Sequence, residues 1–207
     1  MQVSDKRAEA TMLIFWKERL AFLANTKAGS TSLESALESL AHVAILRPPE
    51  LKHLRAARFR RHLAPMLEQL AGGPFTTLAV MREPIDWLGS WYRYRSRDEI
   101  REGDRSTAGL DFATFCEAYL SANPPAYARV GSQGRFLCGP DDGLLVDRVF
   151  RYEALEDLLH FLEERLGCEL TLPRLNVSPP APTDLPPGLR AQLRDRLGVD
   201  YAIYDRL

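Results

Sequence analysis

"FLANTKAGSTSLESALESL", Phe22–Leu40, decides how the chain folds. An apolar, strand-like run stops at Asn25. A short turn of small and polar residues follows, with one lysine, Lys27, and one glycine, Gly29. From Ser32 to Ala44 the spacing turns helical, with Leu33, Ala36, Leu37, Leu40, Ala41 and Val43 or Ala44 on one stripe. Strand, turn and helix in that order predict an α/β unit, in which ligands bind at the carboxyl ends of strands, where helix N-termini point. The residues of the turn suit an anion. Gly29 is expected to let the backbone approach a ligand closely. Ser30, Thr31 and Ser32 offer hydroxyls and helix caps. The N–H groups from Ala28 to Ser32 open the helix and attract negative charge. Lys27 adds a point charge. Such a set fits a phosphate or sulfate, and its plain alternative is a helix cap with an incidental lysine. The nucleoside-triphosphate pattern G-x-x-x-x-G-K-[ST] fits poorly, because Lys27 precedes the only glycine of the turn.

Outward from the turn, "MLIFW" and "LAFLAN" flank the polar "KER" and predict a hairpin or bend. "RPPE" at Arg47–Glu50 ends the first helical pattern. Leu51–Leu70 reads as a helix, with Pro65 as a break or kink. "TTLAVMR" reads as a strand ending at Arg82, and Glu83-Pro84 opens an aromatic-rich helix. Asp98–Leu110 is charged and glycine-containing, and reads as a mobile loop. Helices are expected at Asp111–Leu120 and Ala154–Leu166, with "LLVDRVFRYE" as a strand between them. A proline-rich segment, Pro173–Pro187, leads to a short C-terminal helix. Alternating strands and helices imply one α/β domain spanning residues 1–207, with a central, mainly parallel sheet flanked by helices.

Composition narrows the functional classes. The chain has 207 residues, enough for one substantial core, with 45% hydrophobic and 27% charged residues. Its formal net charge of -1 gives no global field to attract nucleic acid. Cys116, Cys138 and Cys168 are odd in number and lack metal-ligand spacing, which suits a reducing compartment. No apolar run is long enough to span a membrane, and the N-terminus does not read as a signal peptide. A cytoplasmic location is therefore expected, with neither a nucleic-acid partner nor a metal cofactor.

A second stretch complements the turn. "AVMREPIDWLGSWYRYR" puts Arg82 at a strand end and Ser90 inside the next helix, eight residues on. An arginine at that place can grip a phosphate with two parallel hydrogen bonds, and the serine can add a hydroxyl. The alternative is an arginine paired with Glu83 or Asp86 and a serine facing solvent.

Together, "TKAGSTS" and "VMREPIDWLGSWY" resemble the two nucleotide motifs of sulfotransferases that use 3'-phosphoadenosine 5'-phosphosulfate (PAPS). In that family a P-K-[TAS]-G-[ST]-[ST]-like turn holds the 5'-phosphosulfate. A strand ending R-[DEN]-P, with a serine eight residues after the arginine, holds the 3'-phosphate. Thr26 replaces the usual proline. "LKH", "FRYEALEDLLHFLEERLG" and "LPRLNVSP" also resemble parts of bacterial carbohydrate sulfotransferases, so the likeness spans Leu20–Pro179. It implies a P-loop-like three-layer fold and PAPS as donor, with adenosine 3',5'-bisphosphate (PAP) as product. The acceptor would be a hydroxyl, with a glycan as one candidate.

The resemblance also implies roles. Lys27 would neutralise the oxygen bridging sulfur to the departing phosphate, while Ala28, Gly29, Ser30, Thr31 and Ser32 hold the phosphosulfate. Arg82 and Ser90 would hold the 3'-phosphate. Arg174 and Asn176 would close over the nucleotide. His53 falls between the motifs, where this superfamily often places its base, and Lys52 would help hold the transferring group; Glu83 is the second candidate base. His42 and His160 lie in helical stretches and read as structural or exposed. Lys52, Arg55, Arg58 and His62 share a helical face, which would suit an anionic acceptor or a solvated surface. Trp87, Trp91 and Tyr94 follow helical spacing, which usually marks core, although one could stack on adenine or a sugar. Acceptor contacts are expected from Asp98–Leu110 and Ser132–Pro140. Two other classes stay open. One is a kinase with a variant phosphate loop, whose nearest magnesium ligand would be Asp147. The other is a non-catalytic nucleotide- or glycan-binding module.

Overall fold

A computed structural model describes residues 12–172 and 182–207. In chain order, β1 is Met12–Phe15, β2 Leu20–Phe22, α1 Ser30–Leu37, β3 Val43–Ile45, α2 Pro49–Lys52, α3 Ala56–Arg58, α4 Ala64–Ala71 and β4 Thr76–Met81. Then follow α5 Pro84–Arg95, α6 Phe112–Leu120, α7 Gly134–Leu137, β5 Arg148–Arg151, α8 Leu155–Leu166, α9 Pro187–Arg196 and α10 Gly198–Tyr204. The described residues form two compact units, 12–81 with 136–172 and 82–135 with 182–207.

The first unit holds a five-stranded sheet in the order β3-β1-β2-β4-β5. β2 pairs parallel with β4, and β4 parallel with β5. β1 pairs antiparallel with both β2 and β3, so the sheet is mixed where a mainly parallel one was expected. The cause lies in the "KER" connection, which is far too short for the crossover that a parallel pair requires. β1 is thus the one reversed strand, and the other four share a direction. β4 is buried along nearly its whole length, as its unbroken "LAVM" run demands. Leu33 and Leu37 of α1 and Leu158 and Leu162 of α8 pack with Phe22, Leu78 and Val80 in one apolar core.

The second unit is helical. Trp87, Leu88 and Tyr92 of α5, Phe112 and Phe115 of α6, and Leu193 of α9 pack in a separate core. The stretch 98–110 was expected to be mobile. It is tied down at its far end, where the buried Thr107 donates its hydroxyl to the Tyr92 carbonyl at 2.8 Å and Leu110 accepts from the Tyr92 hydroxyl at 2.8 Å.

Two helical expectations fail locally. α1 stops at Leu37, and after a 3-10 turn Val43 and Ala44 belong to β3. Three residues are too few to separate period 2 from period 3.6. The Leu51–Leu70 helix is broken twice. His53–Arg55 are non-helical, and Phe59–Leu63 form a π-helical turn. Pro65, which has no N–H to continue the ladder, follows that turn. The helices at 112–120 and 155–166 match expectation to within a residue. No helix among the described residues is long and apolar enough to cross a membrane.

Burial gives a direct check. Leu78→Ala, at a position with 0% exposure, should cost about 2–5 kcal/mol in denaturant unfolding. Leu70→Ala, at 69% exposure, should stay within about 0.5 kcal/mol of the parent.

Candidate functional site

In the first unit, the chain leaves β2 under tight backbone control. Leu23 N–H donates to the Leu78 carbonyl at 2.8 Å, continuing the parallel ladder. The buried Asn25 donates its side-chain amide to the Val80 carbonyl at 3.0 Å. Asn25 was not singled out from the sequence, where one asparagine at the end of an apolar run reads only as a strand stop.

The turn itself is left-handed at two places. Lys27 has φ of 61°, a region that costs a residue with a Cβ roughly 1–2 kcal/mol. Gly29 has φ of 73° and ψ of 8° and is itself the N-cap of α1. Its carbonyl accepts from Ser32 N–H at 3.1 Å and Leu33 N–H at 3.3 Å. The N-cap position thus belongs to Gly29, and residues 30–32 lie in the first helical turn, where a cap was expected among them. A left-handed residue followed by helical ones turns successive N–H groups to one side, the backbone geometry of an anion nest. Of the first-turn N–H groups that of Ser32 is thus spent on Gly29, and those before it precede the regular helical ladder.

Gly29 has a second constraint. A Cβ there would lie 2.8 Å from Cε2 of Tyr152 and 3.7 Å from Cδ1 of Leu155. Glycine at this point thus has a packing cause as well, because the aromatic ring of Tyr152 occupies the space a Cβ would take. The "FRYEAL" segment thereby fixes the turn.

His53 follows the last residue of α2, with its backbone N–H on the Pro49 carbonyl at 2.9 Å. Its Nδ1 lies 2.8 Å from the Ala24 carbonyl. A carbonyl can only accept, so Nδ1 carries a proton, and in the tautomer that this contact selects the basic nitrogen is Nε2. Lys52 beside it is 2% exposed. The shared basic face of residues 52, 55, 58 and 62 does not form, because the helix breaks between α2 and α3. Arg60 turns elsewhere, donating to Asp147 at 2.7 Å and to the Leu145 carbonyl at 3.1 Å. Asp147 also accepts from Thr77 N–H at 2.7 Å and lies just before β5. It thus sits at the amino ends of β4 and β5, opposite the edge where the turn begins. The other described histidines are also placed. His42 accepts the Trp16 N–H on Nδ1 at 3.1 Å, His160 is exposed beside Glu164, and His62 is exposed. His42 precedes β3, so it does not lie in a helix as expected.

In the second unit, Arg82 and Ser90 are held by α5 and its surroundings. Glu83 caps α5, accepting the Asp86 N–H at 2.7 Å on one oxygen and the Tyr201 hydroxyl on the other. A carboxylate with both oxygens engaged in this way is a poor base. Arg82 donates Nε to Asp86, the ion pair the sequence allowed. Arg93 reaches the other Asp86 oxygen at 3.3 Å. Asp86, Ser90 and Arg93 fall at i, i+4 and i+7 on one stripe of α5, with Ser90 buried. Arg93 escaped the sequence reading because the helix is rich in arginines. Trp87 is core, and Trp91 packs edge-on against Trp87 and Tyr94, with the Arg95 guanidinium 5.1 Å from its ring centroid.

The main chain of Arg82 is held as well. Its N–H donates to Gln133 Oε1 at 2.9 Å, and its carbonyl accepts from Gln133 Nε2 at 2.7 Å. Gln133 is fully buried, and its own N–H donates to Asp200 at 2.8 Å. Gln133 and Asp200 carried no sequence signal. Arg174 and Asn176 lie outside the described residues.

No family model, curated protein or solved structure matches the chain. The functional reading accordingly rests on the motifs and the geometry.

Gly29→Ala should destabilise the chain by about 1–3 kcal/mol in equilibrium unfolding, through its φ and the Tyr152 contact. Pairing it with Tyr152→Ala should recover part of that loss, since the clash is removed and the backbone cost remains.

Asp200 generates a pH prediction. Burial raises its carboxyl from 3.8 to about 6, against the lowering effect of hydrogen bonds from Gly134, Gln133 and Ser132 and of Arg196. Between those values the folded chain keeps a proton that the unfolded chain has released. Stability therefore falls as pH rises from about 4 to about 6, the reverse of a salt-bridged carboxylate. The unfolding free energy of the parent minus that of Asp200→Asn should drop by on the order of 3 kcal/mol over that window. A difference that rises with pH would overturn the assignment.

Proposed function

We propose that the chain is a sulfotransferase that moves a sulfuryl group from PAPS to an acceptor hydroxyl on a carbohydrate or other small molecule, and that its fold is P-loop-like. The observation that carries this reading is the hydrogen bond from His53 to the Ala24 carbonyl. It ties an imidazole with a defined basic nitrogen to the root of a lysine-bearing anion turn. The left-handed Lys27 supports it, since backbone strain concentrates where function holds it in place.

Each residue then has a task. The N–H groups from Ala28 to Thr31 hold the phosphosulfate oxygens, the Ser32 N–H being spent on the Gly29 carbonyl. Lys27 neutralises charge on the bridging oxygen as the bond from sulfur to phosphate breaks. His53 Nε2 takes the proton of the acceptor hydroxyl as its oxygen bonds to sulfur. Lys52 supports the transferring group. Arg82 and Ser90 take the 3'-phosphate. The donor supplies an activated sulfuryl group, and transfer of such a group depends mostly on positioning and charge.

A thermal-shift panel tests the reading. Adenosine 3',5'-bisphosphate should raise Tm, by linkage of binding to stability, and ATP with magnesium should not. The reverse result would indicate a kinase. Binding without sulfate transfer to any sugar, lipid or phenol would indicate a non-catalytic module. His53→Ala should lower turnover roughly 10²–10⁴-fold with donor affinity little changed. Lys27→Gly relieves the left-handed strain, so its stability should stay within about 1 kcal/mol of the parent while turnover collapses. Full turnover in either variant would remove that residue from the mechanism.

A further inference from the structure

The second unit contains a set of contacts that the proposed chemistry does not use directly. Two adjacent residues of α10, Asp200 and Tyr201, both reach toward the segment that carries Arg82. Asp200 is 1% exposed and accepts N–H groups from Gln133 at 2.8 Å and from Gly134 at 3.1 Å. Gly134 has to be glycine, because a Cβ there would lie 2.9 Å from Val199 Cγ1 and 3.0 Å from Asp200 Oδ2. Gln133, fixed in this way, spends both ends of its side-chain amide on the N–H and carbonyl of Arg82. Tyr201 acts on the side chain. Its hydroxyl donates to Glu83, whose other oxygen caps Asp86, and the Asp86 carboxylate orients the Arg82 guanidinium.

We infer that Asp200 and Tyr201 are positioning residues that set Arg82, Asp200 through its main chain and Tyr201 through its side chain, for recognition of the donor's 3'-phosphate. The inference rests on the proposed role of Arg82 as the 3'-phosphate ligand. Two further observations support it. A guanidinium must meet a phosphate in a defined plane to make two hydrogen bonds, so both its root and its tip need fixing. The Asp200 carboxylate is also an expensive group to bury, and a neutral side chain would pack there at lower cost. Its hydrogen-bond partners, the N–H groups of Gln133 and Gly134 and the Ser132 side chain, all belong to the loop that grips Arg82.

The test compares two nucleotides on the intact chain. Adenosine 3',5'-bisphosphate carries the 3'-phosphate, and adenosine 5'-monophosphate does not. Asp200→Asn and Tyr201→Phe should each weaken adenosine 3',5'-bisphosphate about tenfold, as expected for a misplaced charged hydrogen bond, with adenosine 5'-monophosphate unchanged. The donor KM should rise in parallel while kcat is retained. A merely structural role would lower Tm and weaken both nucleotides alike, which would overturn the inference. Tyr201→Phe removes one hydroxyl and guards against a folding failure at Asp200. In an Arg82→Ala background either substitution should add almost nothing, because the group it positions is gone. A full additional loss there would show action by another route. If the parent chain fails to bind adenosine 3',5'-bisphosphate, the proposed function itself falls. If the parent binds and both variants match it, the positioning inference alone falls.

Discussion

The parallel pairing of β2 with β4 is the constraint on which the remaining chemistry depends. Leu20, Ala21 and Phe22 stand opposite Thr76, Thr77 and Leu78, and β4 then runs on to Met81. The chain after β2 must satisfy its buried backbone groups along that extra length, since an unpaired buried carbonyl or N–H is costly. Leu23 meets this with its own N–H, and Asn25 with its side-chain amide on Val80. The Ala24 carbonyl faces the other way and takes His53. One strand pairing therefore fixes where the turn starts and which ring nitrogen of His53 bears its proton. It also fixes the sheet edge at which β4 hands over to Arg82, the next residue in the chain.

What could be read from the sequence was local. The Lys27 turn stood out because small and polar residues interrupt two apolar patterns within a few positions. The Arg82-Glu83-Pro84 junction stood out because proline fits the first helical turn and stops a strand. The hairpin at "KER" followed from the brevity of the connection. What could not be read depends on distant residues. Tyr152 dictates glycine at position 29 from just after β5, and nothing near either residue announces the contact. Gln133 lies in a short polar stretch and Asp200 is one acid among apolar neighbours, and neither pattern marks a contact. Burial makes them important, and burial of a polar group is a tertiary property. The Leu51–Leu70 stretch kept helical spacing through a break at His53 and a π-helical turn, because periodicity responds weakly to one-residue offsets.

The break at His53 has its own logic. Had α2 continued into α3, the imidazole would have followed the helical path beside Lys52. Ending the helix at Lys52 gives His53 a non-helical backbone, φ -102° and ψ 42°, and frees the ring to reach Ala24. Lys52 is buried by the same change of direction. The departure from the periodic pattern is thus the feature that places the His53 ring on the Ala24 carbonyl.

The position of the lysine before the glycine has a similar explanation. In the triphosphate loop the lysine follows the last glycine, so helical geometry directs its side chain. Here Gly29 is the N-cap, and Lys27 lies two residues outside α1. Its main chain is set by a left-handed φ and, two residues earlier, by the strap that Asn25 makes to β4. The lysine is therefore rooted in the turn, and the first N–H groups of α1 in the helix. A lysine placed after the glycine would be part of the helix itself, and helical geometry, not the turn, would then set its path.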